Sequence, residues 1–354
     1  MSDMHAQENL LRHYEGRRVF HGEMHDHSAS GGTSDGKCPL SLWRTEMARL
    51  KMDFAAILDH RQVRHMYLPE WEDGLFIPGS EPGTFITDCP GTQTDMHYLM
   101  IFPHRDLLAK VLEQFPEFEF TGGTEGHFIY PTFSRAHFTD LIDAVMELGG
   151  FFVHPHPKQY MKCDDPCQYW FKDGMGIEVF YWAMESEYTR ENYKLWTDLL
   201  AAGKRIFACA GGDQHEMPHD LCLTTVYAND RSSAAIVDRL RAGDFTCGPI
   251  SIRMCMGDTV TGGVCDFEKQ DALTVCVSDF HPSVQDPTHR YKLVVLDDAG
   301  KVHEELIPFD APAFVTLPVR KDARFYRAEV FDTVRGMRIA VGNPIWNREK
   351  TSGA

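Results

Sequence analysis

At 354 residues the chain is longer than an ordinary single domain and has room for one large α/β domain with a small appendix. Its 52 Asp and Glu outnumber its 35 Lys and Arg, and the resulting net charge of −17 repels polyanions, so duplex nucleic acid is not an expected partner. No apolar run is long enough to span a membrane, and MSDMHAQENLLRHYEGRR lacks the apolar core of a secretion signal, so a cytoplasmic protein is expected.

In chain order, His25 and His27 of HGEMHDHS come first. They stand two apart, so on a strand they project from one face and can grip one ion. Asp35 follows in TSDG, and Leu40 to Leu50 reads as a helix. Phe54 to Leu58 is a continuous apolar run, as expected of a parallel strand buried on both faces, and Asp59-His60 appears only where it stops. The same grammar recurs in Leu75 to Glu81, in Gly150 to His154 and in Arg205 to Asp213, the last followed by His215. His97 instead begins its run, DMHYLMIF. Helical patterns at Ala136 to Leu148, Tyr193 to Ala202 and Ala234 to Arg241 alternate with these strands, and Gly243 closes the last. Ionisable groups at the carboxyl ends of successive strands are the mark of a β/α barrel site.

After Gly248-Pro249 the pattern changes to short strands broken by turns: ISIRMCM, ALTVCVSDF, YKLVVLDD, AFVTLPV and FYRAEVFDT. Asp297-Asp298-Ala299-Gly300 reads as a hairpin turn, and the region as a small β-sandwich. The expected division is therefore a barrel over residues 1–248 and a sandwich over 249–354. Two long connections, Phe115 to Thr132 and Lys158 to Gly176, are dense in aromatics and Gly. They read either as lids, with His127, Tyr130, Tyr160 and Trp170 as site candidates, or as surface loops packed by their own aromatics.

A single histidine at a strand end is more often a hydrogen-bonded core or surface group than a ligand. Nine such donors in one chain are different: His25, His27, Asp35, His60, Glu81, His97, His154, Asp213 and His215 would be costly to desolvate together without a cation. Their nitrogen and oxygen chemistry suits Zn, Mn or Fe better than a thiolate or all-oxygen site. Ten cysteines without a secretion signal are expected as reduced thiols, with Cys209, Cys247 and Cys276 in the core. Cys163 and Cys167 lack a second pair to complete a zinc site.

The ordered set HxH, SDG, strand-DH, GxE, strand-His-Pro and GxDxH resembles the PHP (polymerase and histidinol phosphatase) superfamily of metal-dependent phosphoesterases, from about Val19 to His215. LWTDLLAAGKRIFACAGGDQH, LRAGDFTCGPI, FYRAEVFD and NPIW further resemble its CehA/McbA-type branch. The resemblance implies a distorted (β/α)7 PHP-type barrel and two or three divalent ions. His25, His27 and Asp213 would hold the first ion, with Glu81 bridging to a second on His97 and His154, and Asp35, His60 and His215 would hold a third. The chain departs from the family pattern in three ways. Ser28 to Ser34 lengthens the spacing to Asp35, His156 rivals His154, and Lys158 stands where the His-Pro motif is often followed by Arg.

The implied activity is hydrolysis of a small-molecule phosphoester by a hydroxide held between cations, at Glu81. Hydrolysis of a carbamate, ester or amide is the alternative, and a non-catalytic metal-binding or ligand-sensing module a third reading. Arg61 and Lys158 are the cations best placed to touch a phosphate, and His156 could protonate a leaving group if it is not a ligand.

Overall fold

The structure, a computed structural model, describes residues 3–88, 96–160, 171–217 and 221–350. Cys163, Cys167 and Trp170 lie outside the described residues, as does the side chain of Tyr160. The centre of the N-terminal part is the strand Phe54–Ile57, all four residues buried, paired in parallel with Arg18–Asp26 on one side and Phe76–Ser80 on the other. Polar side chains there would lose water on both faces, which is why the run is wholly apolar.

The helix Leu40–Leu50 joins the first two of these strands and shows how local sequence sets the element. Pro39 precedes it in extended conformation, and Leu40, Trp43 and Met47 recur at helical spacing and are the buried residues. Lys51 ends it at φ 63, its N–H donating to the Met47 carbonyl. Trp43 also donates its indole N–H to the His27 carbonyl at 3.0 Å, tying the helix to the strand that carries the paired histidines. Burying such a ring contributes about 1.5–3 kcal/mol.

The strand Leu99–Ile101 departs from the parallel grammar, lying antiparallel between Phe76–Ser80 and Phe151–His154. A parallel return needs a crossover of a dozen or more residues, usually helical. Here the described part of the connection instead pairs Gly83–Ile86 with Met96–His97 in a small separate sheet. Phe151–His154, Gly176–Tyr181 and Phe207–Gly211 then follow in parallel. A bridge between Asp26 and Gln214 brings the carboxyl ends of the first and last of these strands together, with His27 N donating to the Gln214 carbonyl at 2.9 Å.

The later helices fall close to their expected positions: Arg135–Glu147, Glu187–Ala201 and Ser233–Ala242. Gly243, at φ 70, closes the last, donating to the Arg239 and Leu240 carbonyls. Beyond it, Ser251–Met256, Ala272–Ser278 and Ala313–Pro318 form an antiparallel sheet with Thr259–Val260. The hairpin Tyr291–Asp297/Gly300–Ile307 turns where expected, Asp297 Oδ1 accepting from the N–H groups of Ala299 and Gly300. Ile252 and Val275 from one sheet share a core with Leu293, Ala328 and Val330 from the other.

The large sheet does not stop near residue 248. Phe245–Cys247 pairs with Met337–Gly342, so the same sheet continues from the N-terminal part into the C-terminal strands. Gly248 sits at that crossing at φ 126, where a Cβ would overlap the Ile339 carbonyl oxygen. Among the described residues, no helix is long and apolar enough to cross a membrane. The seven described cysteines are free and buried, in keeping with the core role expected of them.

Candidate metal centre

The carboxyl ends of the strands converge on one cluster of donors. His25 stands in the first strand and His27 just past it, while His60 and Glu81 lie just beyond the second and third. Asp213 and His215 follow Phe207–Gly211, and Asp35 comes from the loop after the first strand. Among the described residues, donor atoms within 4.8 Å of one another form three groups: His25, His27, Glu81 and Asp213; Glu81, His97 and His156; and His27, Asp35, His60 and His215.

Glu81 is the hinge of the arrangement. It is fully buried, and its two oxygens face different groups. Oε2 lies 3.0 Å from His25 Nε2 and 3.1 Å from His27 Nε2, whereas Oε1 lies 3.0 Å from both His97 Nδ1 and His156 Nε2. Asp213 Oδ1 is 3.1 Å from His27 Nε2 and also 3.1 Å from His215 Nε2, linking the first group to the third. Asp35 Oδ1 completes the third, 2.8 Å from His215 Nδ1 and 3.5 Å from His60 Nε2.

The donor set fits divalent cations. His25 Nδ1 is 2.8 Å from the carboxylate of Glu178, so that nitrogen carries the proton and Nε2 presents its lone pair. That lone pair faces Glu81 Oε2, and neither atom has a hydrogen bond. Two buried acceptors in this position repel unless a positive charge lies between them, a proton on His25 in the metal-free chain or a cation in the loaded one. His60 repeats the device, with Nδ1 on the Glu81 carbonyl and Nε2 toward Asp35.

Electrostatics agree. Burial disfavours the charged form of His25, but Glu81, Glu178 and Asp213 outweigh it and hold its pKa well above the imidazole range. Burial likewise opposes charge on His215, yet Asp213 and Asp35 raise it to about 10. Burial would raise Glu81, but His25, His97 and His60 pull it well below the carboxylate range, and Asp213 is lowered against burial by His25, His215 and His27. Burial, reinforced by the nearby His27, depresses His60 to about 3.

The two rivals in HPHP separate clearly. His154 ends its strand among the rings of Phe138, Phe152 and Phe171, and among the described residues it joins no donor group. His156, at φ 29, takes a left-handed turn out of the strand and meets Glu81 and His97. Among the described residues it is therefore His156 that stands beside Glu81 and His97, its Nε2 3.0 Å from Glu81 Oε1.

The guanidinium of Arg61, expected to be placed to touch a phosphate, donates to the carbonyls of Phe118, Gly126 and Glu117 and so grips the 117–126 segment. Lys158 is the second residue of the short helix Pro157–Tyr160, its amide N donating to Asn192 Oδ1 at 3.3 Å.

Supporting residues escaped the sequence reading. Glu178 holds His25 through Oε1 and accepts the His156 amide through Oε2. The only trace of it in the sequence is an acid inside the apolar run GIEVFY. Tyr181, also missed, donates to Asp213 Oδ2 at 2.8 Å, whereas Tyr130, a site candidate from the sequence, has its hydroxyl 2.9 Å from His97 Nε2. Gly211 passes between Glu178 and His25, where a Cβ would overlap both. A cavity of about 180 Å³ opens over the donors, lined by Asp35, His60, His97, His127, Phe128 and Tyr130 among others.

No protein-family model and no curated protein matches the chain. Among solved structures, the chain is similar to a two-domain protein from Bacteroides vulgatus described as containing a predicted PHP-like metal-dependent phosphoesterase, at 13% identity and TM-score 0.43, over 94% of this chain and 96% of that one. It is similar to an amidohydrolase from Chromobacterium violaceum at 16% identity and TM-score 0.35, over 56% of this chain and 89% of that one. It is also similar to a lesion-specific endonuclease from Pyrococcus furiosus at 15% identity and TM-score 0.44, over 63% of this chain and 56% of that one.

Proposed function

We propose that the chain is a metal-dependent hydrolase of the PHP superfamily, CehA/McbA-like, and most specifically a phosphoesterase acting on a small molecule. In this reading residues 1–248 form the (β/α)7 barrel and 249–354 the β-sandwich. The observation that carries it is the division of Glu81, one oxygen to the His25/His27/Asp213 group and the other to the His97/His156 group.

His25, His27, Asp213 and Glu81 would hold one cation, Glu81, His97 and His156 a second, and Asp35, His60 and His215 a third. Divalent cations there supply Lewis acidity toward a substrate oxygen and acidify water. The chain's own residues do the rest: Glu178 fixes the His25 tautomer, Tyr181 orients Asp213, and the cavity over the donors gives a substrate room to reach them.

A carbamate, ester or amide substrate is the second reading. It is supported by Arg61, whose donors are taken by three carbonyls instead of facing a phosphate. Under either reading, the charge of −17 supports a small substrate over a duplex.

The test is elemental analysis after reconstitution with Mn, Fe or Zn, followed by phosphate release from a phosphoester panel beside an aryl carbamate panel. At least two equivalents of metal per chain are expected, with turnover abolished by chelation and mostly lost in Glu81→Gln. Less than one equivalent with every metal would falsify the reading.

A further inference from the structure

A second cavity, of about 680 Å³, opens where the N-terminal strands meet the C-terminal ones, a size that suits a small ligand. His21 lines it from near the start of the strand Arg18–Asp26, whose other end carries His25, and none of the metal donors reaches it. Tyr227, Arg253, Asp279, Phe280 and Phe309 also stand in its wall.

Its charged groups are built in rather than left on a surface. Arg253 is 8% exposed and clamped between two rings, its guanidinium carbon 4.4 Å from the centroid of Tyr227 and 5.4 Å from that of Tyr14. Its hydrogen bonds leave from Nη2, to Ser278 Oγ at 2.8 Å and Cys276 Sγ at 3.4 Å, while the buried Nε has no partner. Asp279 takes the left-handed conformation, φ 50, just past the strand Ala272–Ser278. Its Oδ2 accepts from the Tyr227 and Ser278 hydroxyls and stands 3.9 Å from Arg253 Nη2.

His21 adds an acceptor. The Thr225 hydroxyl donates to the Gly248 carbonyl, so it accepts from His21 Nδ1, and Nε2 keeps a lone pair. Burial, reinforced by His281, pushes the pKa of this ring down to about 4, so the ring is neutral at pH 7. A simple anion in the cavity would meet Arg253 but also the carboxylates of Asp279 and Asp310, and a simple cation would meet Arg253. A ligand with both charges a few bonds apart satisfies all of them, and Phe280 and Phe309 offer an apolar wall to the rest of it.

We propose that this cavity binds a free α-amino acid with an apolar side chain, its carboxylate on Arg253 and its ammonium between Asp279 and His21. The site is separate from the metal centre and stands whether or not the chain is a hydrolase.

The experiment is calorimetry on the chain as purified, with L-leucine beside isocaproate, which lacks the ammonium, and isoamylamine, which lacks the carboxylate. Leucine is expected to bind about tenfold or more tightly than either, the return on one charge-assisted hydrogen bond. Asp279→Asn is the deciding variant, because asparagine tolerates positive φ and keeps the shape while removing the charge. It should bring the ratio of leucine to isocaproate close to one, and Arg253→Gln should do the same for leucine against isoamylamine. If Arg253→Gln does not fold, Asp279→Asn decides alone. Leucine chelated at the metal centre would keep its preference in Asp279→Asn, and that result overturns the proposal. So does a wild-type chain that binds no leucine, or binds either analogue as tightly.

Discussion

His156, Arg61 and Asp213 share a property: each has positive φ and follows closely on the end of a strand, at φ 29, 47 and 50. Non-glycine residues hold this conformation only where their surroundings fix it, and such positions gather at functional sites. For His156 the turn exchanges the aromatic surroundings of His154 for the two partners Glu81 and His97. His156→Ala is therefore expected to lose about one equivalent of metal. His154→Ala should keep its metal and instead lose about 2–3 kcal/mol of stability through the hole left among the phenylalanines. Elemental analysis beside thermal melts separates the two, and equal metal content in both variants would restore His154 as the rival ligand. The histidines also set a pH dependence. His25 and His215 have raised pKa values, so in the metal-free chain both are protonated at neutral pH and must release protons to a cation. Metal affinity should rise as pH climbs through 7 toward 10, with proton release visible by calorimetry in buffers of different ionisation enthalpy. Metal-free stability runs the other way. The His215 contribution is complete below its ordinary value of 6.5 and disappears as pH passes about 10, while the depressed Asp213 and Glu81 lose theirs only as pH falls below the ordinary carboxylate range.

Among the elements, the segment around 117–128 is gripped by Arg61, which follows His60 directly and whose guanidinium takes three carbonyls of that segment, with Thr124 Oγ1 adding a bond to the Gly32 carbonyl. Arg61→Gln should leave metal content intact but speed proteolytic nicking between residues 117 and 128. Metal loss without faster nicking would show that Arg61 acts on His60 rather than on the segment. Much of this layout can be read in the sequence, because apolar runs that end in an acid or histidine report burial followed by a polar mouth. Phe54 to His60 and Arg205 to His215 are such cases, and Leu40–Leu50 follows from its buried stripe. What escapes depends on backbone turns or distant pairing. The His156 turn needs a φ no motif encodes, the direction of Arg61 depends on carbonyls more than fifty residues away, and Leu99–Ile101 runs antiparallel after a connection whose described part pairs as strands. The continuation of the sheet past Gly248 needs Phe245–Cys247 to find Met337–Gly342, a pairing with no local signature.

For the molecule as a whole, the bridge between Asp26 and Gln214 is a backbone pairing that joins the end of the first strand to the residues just past the last of the N-terminal set. Its hydrogen bonds involve His27 N, the Gln214 carbonyl, Gln214 N and the His25 carbonyl. Every residue flanking the bridge is a donor: His25 and His27 on one side of the closure, Asp213 and His215 on the other. A cation gripping His25, His27 and Asp213 would act as a clasp across a seam held by few backbone bonds. Catalytic loading and mechanical closure would then be one event. Hydrogen exchange offers the measurement: zinc should slow the amides of His27 and Gln214 far more than those of Val275 or Leu293, which sit in the other core. Uniform slowing across the chain would mean that the metal merely adds global stability. If the clasp is real, removing the metal opens the fold at the place where the chemistry is done, and a chain that has lost its ions also loses the shape that would let it select them again.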